Sequence, residues 1–139
     1  AYPNDPACAT LDRQYMLGES LLVAPIFSDE GVVDFYLPAG RWTHLLSGAV
    51  VEGGSWRREQ HGYDSLPLYV RPDSVLPLGA VENRPDYAFA DGVTLALFAL
   101  AEDHDSIIHV PGLDGAHTAS FRVQRTADQI VVTRLSGTE

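Results

Sequence analysis

Apolar positions along this chain fall into two regimes. Between residues 5 and 17 they recur at helical spacing, with Cys8, Leu11 and Tyr15 three and four residues apart on one face of a predicted helix. Asp5 is placed to cap the first turn, Pro6 suits the first helical position and Gly18 suits the stop. The run Leu21-Leu22-Val23-Ala24-Pro25-Ile26-Phe27 is apolar without a period and predicts a fully buried strand. The stretch 12–27 is thus expected to be the pivot of the chain, where a helix ends and β structure begins.

Beyond residue 20, short β-branched and aromatic runs are separated by Gly, Pro, Asp and Ser, which predicts strands near 20–27, 32–37, 41–46, 49–52, 55–60, 66–71 and 74–78. Asp29-Glu30-Gly31 and Pro38-Ala39-Gly40 supply the turns between the first three. In 66–71, Leu66, Leu68 and Val70 alternate with Pro67, Tyr69 and Arg71, giving one buried and one wetter face. Pro67 and Pro72 have no ladder donor, so this strand is expected to be short or at an edge. Turn formers and charges cluster over 79–92, and a domain boundary is expected there. After it, 93–100 is apolar on both faces and predicts a central strand, followed by strands at 106–110, 119–125 and 129–135. The last two form a hairpin about Ala127-Asp128. Ser136-Gly137-Thr138-Glu139 offers no closing strand, so the second unit is expected to be truncated. The fold class is mainly β: an antiparallel β-sandwich preceded by one short helix, with part of a second β-sandwich.

Composition narrows the function classes. The 139 residues carry a formal charge of −10, and nine scattered Lys and Arg do not make a phosphate-binding surface, which argues against a nucleic-acid partner. No uninterrupted apolar run approaches the roughly 20 residues of a spanning helix, so no membrane partner is expected. A single cysteine, Cys8, excludes an internal disulfide framework and favours a cytoplasmic location.

Candidate chemistry is sparse. Cys8 reads as a packing residue rather than a nucleophile. Glu102-Asp103-His104-Asp105 concentrates oxygen and imidazole ligands but lacks the spacing of calcium or zinc motifs, and a strand-joining turn is the preferred reading. His61 reads as a loop residue with a lesser claim as a general base. Glycosidic hydrolysis uses two facing carboxyl groups about 5–9.5 Å apart. Asp29, Glu30, Asp86, Asp91, Glu102, Asp103 and Asp105 all fall in turns or at the boundary, where solvated carboxylates are the ordinary reading. Trp42, Trp56, Tyr63 and Tyr69 are of the type that stacks on sugar rings, set against the commoner role of strand aromatics in packing.

Three stretches in order carry a family resemblance. Asp12-Arg13-Gln14-Tyr15-Met16-Leu17-Gly18 with Leu21-Leu22-Val23-Ala24-Pro25, then Phe35-Tyr36-Leu37-Pro38 with Gly40-Arg41-Trp42, then Leu66-Pro67-Leu68-Tyr69-Val70-Arg71 with Val75-Leu76-Pro77-Leu78-Gly79 resemble family 31 glycoside hydrolases just after their catalytic barrel. Asn4-Asp5-Pro6-Ala7-Cys8, Asn83-Arg84-Pro85-Asp86-Tyr87, Asp91-Gly92 and Leu97-Phe98 are similar to the bacterial α-xylosidase branch. The resemblance implies that residues 1–19 are the last helix of a (β/α)8 barrel, 20–79 a proximal β-sandwich and 80–139 part of a distal one. It implies a retaining exo-hydrolase that removes α-linked xylose from oligosaccharides. Its catalytic and sugar-holding groups would lie upstream, so no catalytic residue, metal ligand or cofactor is expected within 1–139, and no substrate-binding residue is assigned. The local role implied is to brace the barrel and to contribute subunit contacts in a homo-oligomeric parent. A free-standing carbohydrate-binding β module and a purely structural β domain are the alternatives.

Overall fold

The computed structural model describes residues 2–137. They form a mainly β chain, with a 3-10 turn at Pro6–Thr10 followed by β1 (Tyr15–Leu17), β2 (Leu21–Val23), β3 (Val32–Leu37), β4 (Arg41–His44), β5 (Val50–Glu52), β6 (Ser55–Gln60), β7 (Leu68–Val70), β8 (Ser74–Leu78), β9 (Thr94–Phe98), β10 (Asp105–Pro111), β11 (His117–Arg125) and β12 (Ile130–Ser136). The chain divides into two compact units between Pro72 and Asp73.

In the first unit a five-stranded antiparallel sheet, β1-β2-β7-β4-β5, faces the two-stranded ribbon β3-β6. Period-2 alternation in β3 turns Val33, Phe35 and Leu37 inward to meet Leu22, Trp42 and Tyr69 of the larger sheet. Phe35 and Leu37 are fully enclosed, and burial of a side chain of that size contributes about 1.5–3 kcal/mol. In the second unit β8 pairs with β9, and β10-β11-β12 form a three-stranded sheet. Val75, Leu100 and Val123 make its small core, with Leu95 and Ile108 packed against them.

The structure corrects several expectations. The helix over 5–17 is only the five-residue 3-10 turn, in which no residue is buried. Asp5 does cap it, its carboxylate accepting from the Ala7 amide at 3.0 Å. Tyr15–Leu17 then runs as a strand paired with Leu21–Val23, and Gly18, at φ 64°, sits in the turn between them instead of ending a helix. Three residues at helical spacing were too few to outweigh this hairpin, and Tyr15 is 53% exposed rather than part of a core face. Among residues 2–19, the terminal helix expected by resemblance is therefore limited to this 3-10 turn.

β7 is short, as its prolines require, yet it lies in the middle of its sheet between β2 and β4. Pro67 and Pro72 fall outside the three paired residues, so no ladder donor is lost. Both faces are covered: Tyr69 and Val70 are buried on opposite sides. β9 has β8 as its paired neighbour among the described residues, and its Thr94 and Leu97 are exposed, so it is not the central strand expected. Ser74–Leu78 thereby joins the second unit, and 79–92 is a connection within that unit. The hairpin about Ala127-Asp128 forms as expected, joining β11 to β12. The expected truncation rests partly on Thr138 and Glu139, which lie outside the described residues.

Candidate functional site

The most concentrated polar chemistry in the first unit gathers on the inward side of β6. Alternation that turns Trp56 and Arg58 outward turns Arg57 and Glu59 inward, and an inward charge must be paired to be tolerated. Glu59 Oε1 accepts from the Tyr69 hydroxyl at 2.7 Å and from Arg57 Nε at 3.0 Å, while Oε2 lies 3.0 Å from His61 Nε2. His61 Nδ1 continues to Ser65 Oγ at 2.9 Å. Beside it, the His44 ring meets Tyr69 edge-on at 5.0 Å between centroids. His44 Nε2 lies 2.9 Å from the Leu66 carbonyl, and the Ser47 amide donates to Nδ1 at 3.2 Å, a pattern that fits the neutral Nε2–H tautomer.

Burial alone would raise the Glu59 pKa, but hydrogen bonds from Tyr69, Arg57 and His61 with the Arg57 charge outweigh it and hold the carboxyl below its ordinary range. Burial first, then the Glu59 carboxylate, push the Tyr69 phenol well above its ordinary range. A carboxylate so held is a poor proton donor near neutrality, and the cluster contains one carboxylate where glycosidic hydrolysis uses two. Its chemistry is that of a polar clamp tying β6 to β7.

The second unit holds an Asp–His–Ser relay. Asp73 Oδ1 lies 2.6 Å from His104 Nδ1, and His104 Nε2 lies 2.7 Å from Ser106 Oγ. The order of atoms is that of a hydrolase triad, but Ser106 sits within β10 paired to Val123, not on an exposed strand-to-helix elbow. Asp73 also accepts from the Ala101 amide at 2.9 Å, so the relay pins the residue just before β8 to the β9–β10 loop.

The remaining candidates are dispersed. Cys8 is half-buried, and burial with the nearby Asp5 carboxylate raises its thiol pKa, which disfavours the thiolate a nucleophile needs. The run at 102–105 is split: His104 joins the relay, while Asp105 receives Arg122 in two hydrogen bonds of 2.9 and 2.6 Å that hold its carboxyl below the usual range. Among the described residues no group of three or more His, Cys, Asp or Glu is placed to hold a metal ion. Asp29, Glu30, Asp86 and Asp91 are exposed. Trp42 is buried, its indole donating to the Pro38 carbonyl at 2.7 Å, and Tyr69 is in the clamp, whereas Trp56 and Tyr63 are exposed. Sequence reasoning missed Arg57 and Glu59. The signal was there in Ser55-Trp56-Arg57-Arg58-Glu59-Gln60, which carries charges on both alternating faces, so that one set must lie inward.

Two-layer antiparallel packing makes the first unit a β-sandwich, with the inward Glu59 carboxylate spent on tying β6 to β7. Comparison with known proteins gives the family. The Glycosyl hydrolase family 31 C-terminal domain matches residues 1–76, and the C-terminal domain of the alpha-xylosidase YicI matches residues 88–139. The chain belongs to glycosyl hydrolase family 31. It is 43% identical over 102 residues to an alpha-xylosidase of Emericella nidulans, covering 68% of this chain and 13% of that protein. It is 34% identical over 122 residues to the alpha-xylosidase XylQ of Lactiplantibacillus pentosus, covering 86% of this chain and 16% of that protein. The fold matches a Flavobacterium johnsoniae dextranase of the same family, solved with glucose, at a TM-score of 0.73 and 21% identity over 94% of this chain and 18% of that one. The two matched segments flank 77–87.

Proposed function

We propose that this chain is the carboxy-terminal β portion of a longer retaining α-xylosidase, which removes α-linked xylose from the non-reducing ends of oligosaccharides. The observation that carries the reading is its similarity, on both sides of residues 77–87, to C-terminal domains of this family and to two alpha-xylosidases of which it spans only 13% and 16%. The geometry agrees, since the inward carboxylate Glu59 is fully engaged in holding strands. These residues brace the part of the enzyme that carries the catalytic groups, and a homo-oligomeric parent would draw subunit contacts from the same region.

Turnover of an aryl α-xyloside tests this. The full-length gene product hydrolyses it, in preference to the matching α-glucoside, and the 139-residue chain alone does not. Hydrolysis by the pure chain that is abolished by replacing one of its own acidic residues would overturn the proposal, as would a full-length product inert toward both glycosides.

A further inference from the structure

The first unit buries one face of the β3-β6 ribbon, and on the other it leaves Asp34, Trp56, Arg58 and Gln60 exposed while covering Tyr36. Register places Val32, Asp34 and Tyr36 of β3 opposite Gln60, Arg58 and Trp56 of β6. Trp56 is 62% exposed although its ring lies against Tyr36, centroids 5.8 Å apart. Tyr36 is itself fixed, its hydroxyl donating to Asp5 at 3.0 Å and its backbone held by the Gln14 amide. The two rings meet at 58°, so a fixed Tyr36 props the indole while most of the Trp56 surface stays open.

Phe27, 78% exposed, lines a groove of about 480 Å3 together with Trp56, Asp12, Arg13, Ser28 and Asp34. That volume lies within the range of about 300–1,000 Å3 common for small-molecule sites. Two large rings left in water forgo burial free energy, so a ligand that covers them recovers it. The rim sets its chemistry. Asp12, Arg13 and Asp34 line it, so the groove presents planar hydrogen-bonding groups of both signs. A chain of net charge −10 with such a rim does not recruit polyanions. A neutral polyol with an apolar ring face suits both parts: its C–H face covers the indole and its hydroxyls bond to carboxylate and guanidinium.

We propose that the Phe27–Trp56 groove is a non-catalytic carbohydrate-binding site for neutral pyranose units of an oligosaccharide. Trp56 is the stacking platform, Phe27 flanks it, and Asp12, Arg13 and Asp34 take the hydroxyls. The choice of a sugar as ligand rests on the proposed function, whereas the exposed platform does not.

Titrating the 139-residue chain with a xylose-bearing xyloglucan heptasaccharide and with isomaltotriose, followed by tryptophan fluorescence and amide chemical shifts, tests the site. Saturable binding is expected with at least one sugar, weakened about tenfold or more by Trp56→Ala, a loss of about 1.4 kcal/mol. Phe27→Ala should weaken it less, and Tyr63→Ala, at an exposed position that does not line this groove, should leave it unchanged. Far-UV circular dichroism of each variant separates lost binding from lost fold. Absence of saturable shifts with both sugars, or binding that survives Trp56→Ala, overturns the proposal. So does protection of Trp56 from hydroxyl-radical labelling in the sugar-free full-length enzyme, because the groove would then already be covered. Aryl α-xyloside turnover by the full-length enzyme reads the proposed function separately.

Discussion

The side chain of Gln14 pairs with the backbone of Tyr36 as another strand would: its Nε2 donates to the Tyr36 carbonyl and its Oε1 accepts from the Tyr36 amide, each at 2.7 Å. This closes part of the free edge of β3, whose other side is paired to β6. It also gives a physical role to the glutamine in the first of the family-like stretches. Replacing Gln14 by Leu removes both bonds and leaves two backbone groups without partners, which should cost about 2 kcal/mol. Gln14→Glu keeps the acceptor but loses the donor, and should cost no less. For a unit of this size each kcal/mol lowers Tm by about 4–8 °C, so thermal unfolding followed by near-UV circular dichroism resolves both variants. A Gln14→Leu protein as stable as the parent would show that the bridge contributes nothing.

The clamp around Glu59 makes stability depend on pH in a stated direction. The folded-state pKa of Glu59 is lowered, so its contribution is complete above the unfolded carboxylate range near 4.3 and is lost as pH falls through the folded value. Glu59→Gln should cost about 1–3 kcal/mol at pH 7 and make the acid limb shallower as pH falls below the unfolded carboxylate range. Tyr69 has the opposite sense: its folded pKa is raised, so its contribution is complete below about 10 and disappears as pH climbs through the folded value. Tyr69→Phe should flatten the alkaline limb and also make the acid limb shallower, because its hydroxyl is the first of the hydrogen bonds that hold the Glu59 carboxyl low. Urea unfolding across pH measures both, and identical profiles for the parent and Glu59→Gln would exclude this origin.

Two glycines separate the cost of backbone conformation from that of space. Gly48 has φ 73° with open room where a Cβ would stand, so Gly48→Ala should cost about 1 kcal/mol from the left-handed conformation alone. A Cβ on Gly53 would collide with the Pro38 carbonyl, the acceptor of the Trp42 indole, and press on the Trp42 ring. Gly53→Ala should therefore cost more, about 2–4 kcal/mol, in line with steric overpacking and a broken buried hydrogen bond. A shifted Trp42 emission spectrum should accompany it. Equal losses in the two variants would contradict this account.

The pattern of β runs was legible because alternation and turn chemistry agree locally. Val32–Leu37 alternates into the core, Asp29-Glu30-Gly31 precedes it, and the pairing of β3 with β6 follows. What the sequence hid depends on pairing across distance. Tyr15-Met16-Leu17 is a strand only because Gly18 turns the chain back onto Leu21–Val23, and in one dimension its spacing imitates a helix. The prolines around β7 require a strand that is short or at an edge, and it is short; that it is also central follows from their standing just outside the paired residues, which no local rule can locate. The clamp was half legible: His61 and Tyr69 stood out by type, but their joint partner Glu59 belongs to a strand whose inward face is settled only by its neighbour. Among the aromatic candidates, residue type could not separate enclosed Trp42 from open Trp56, because both sit in strands of similar length and composition.

The Asp73–His104–Ser106 relay sits where the second unit begins, and Asp73 adopts φ 59°, a left-handed conformation that non-glycine residues enter at a cost. Its carboxylate offsets that cost by accepting from both His104 and the Ala101 amide. Asp73→Gly relieves the backbone strain but removes both bonds, and Asp73→Ala removes them without relieving it. Alanine should therefore be the more damaging by about 1 kcal/mol, the typical penalty of the left-handed region. The position is half exposed, so the total loss for Asp73→Ala should remain near 2–3 kcal/mol rather than reach that of a fully buried network. Amide hydrogen exchange in the β9–β10 loop is the sensitive measurement, since both bonds end there, and Ala101 should lose protection before the residues of β11. If the relay were a hydrolytic triad, Ser106→Ala would abolish cleavage of p-nitrophenyl acetate while leaving exchange unchanged. The pinning role predicts the reverse: faster exchange at Ala101 and background esterolysis indistinguishable from that of the parent.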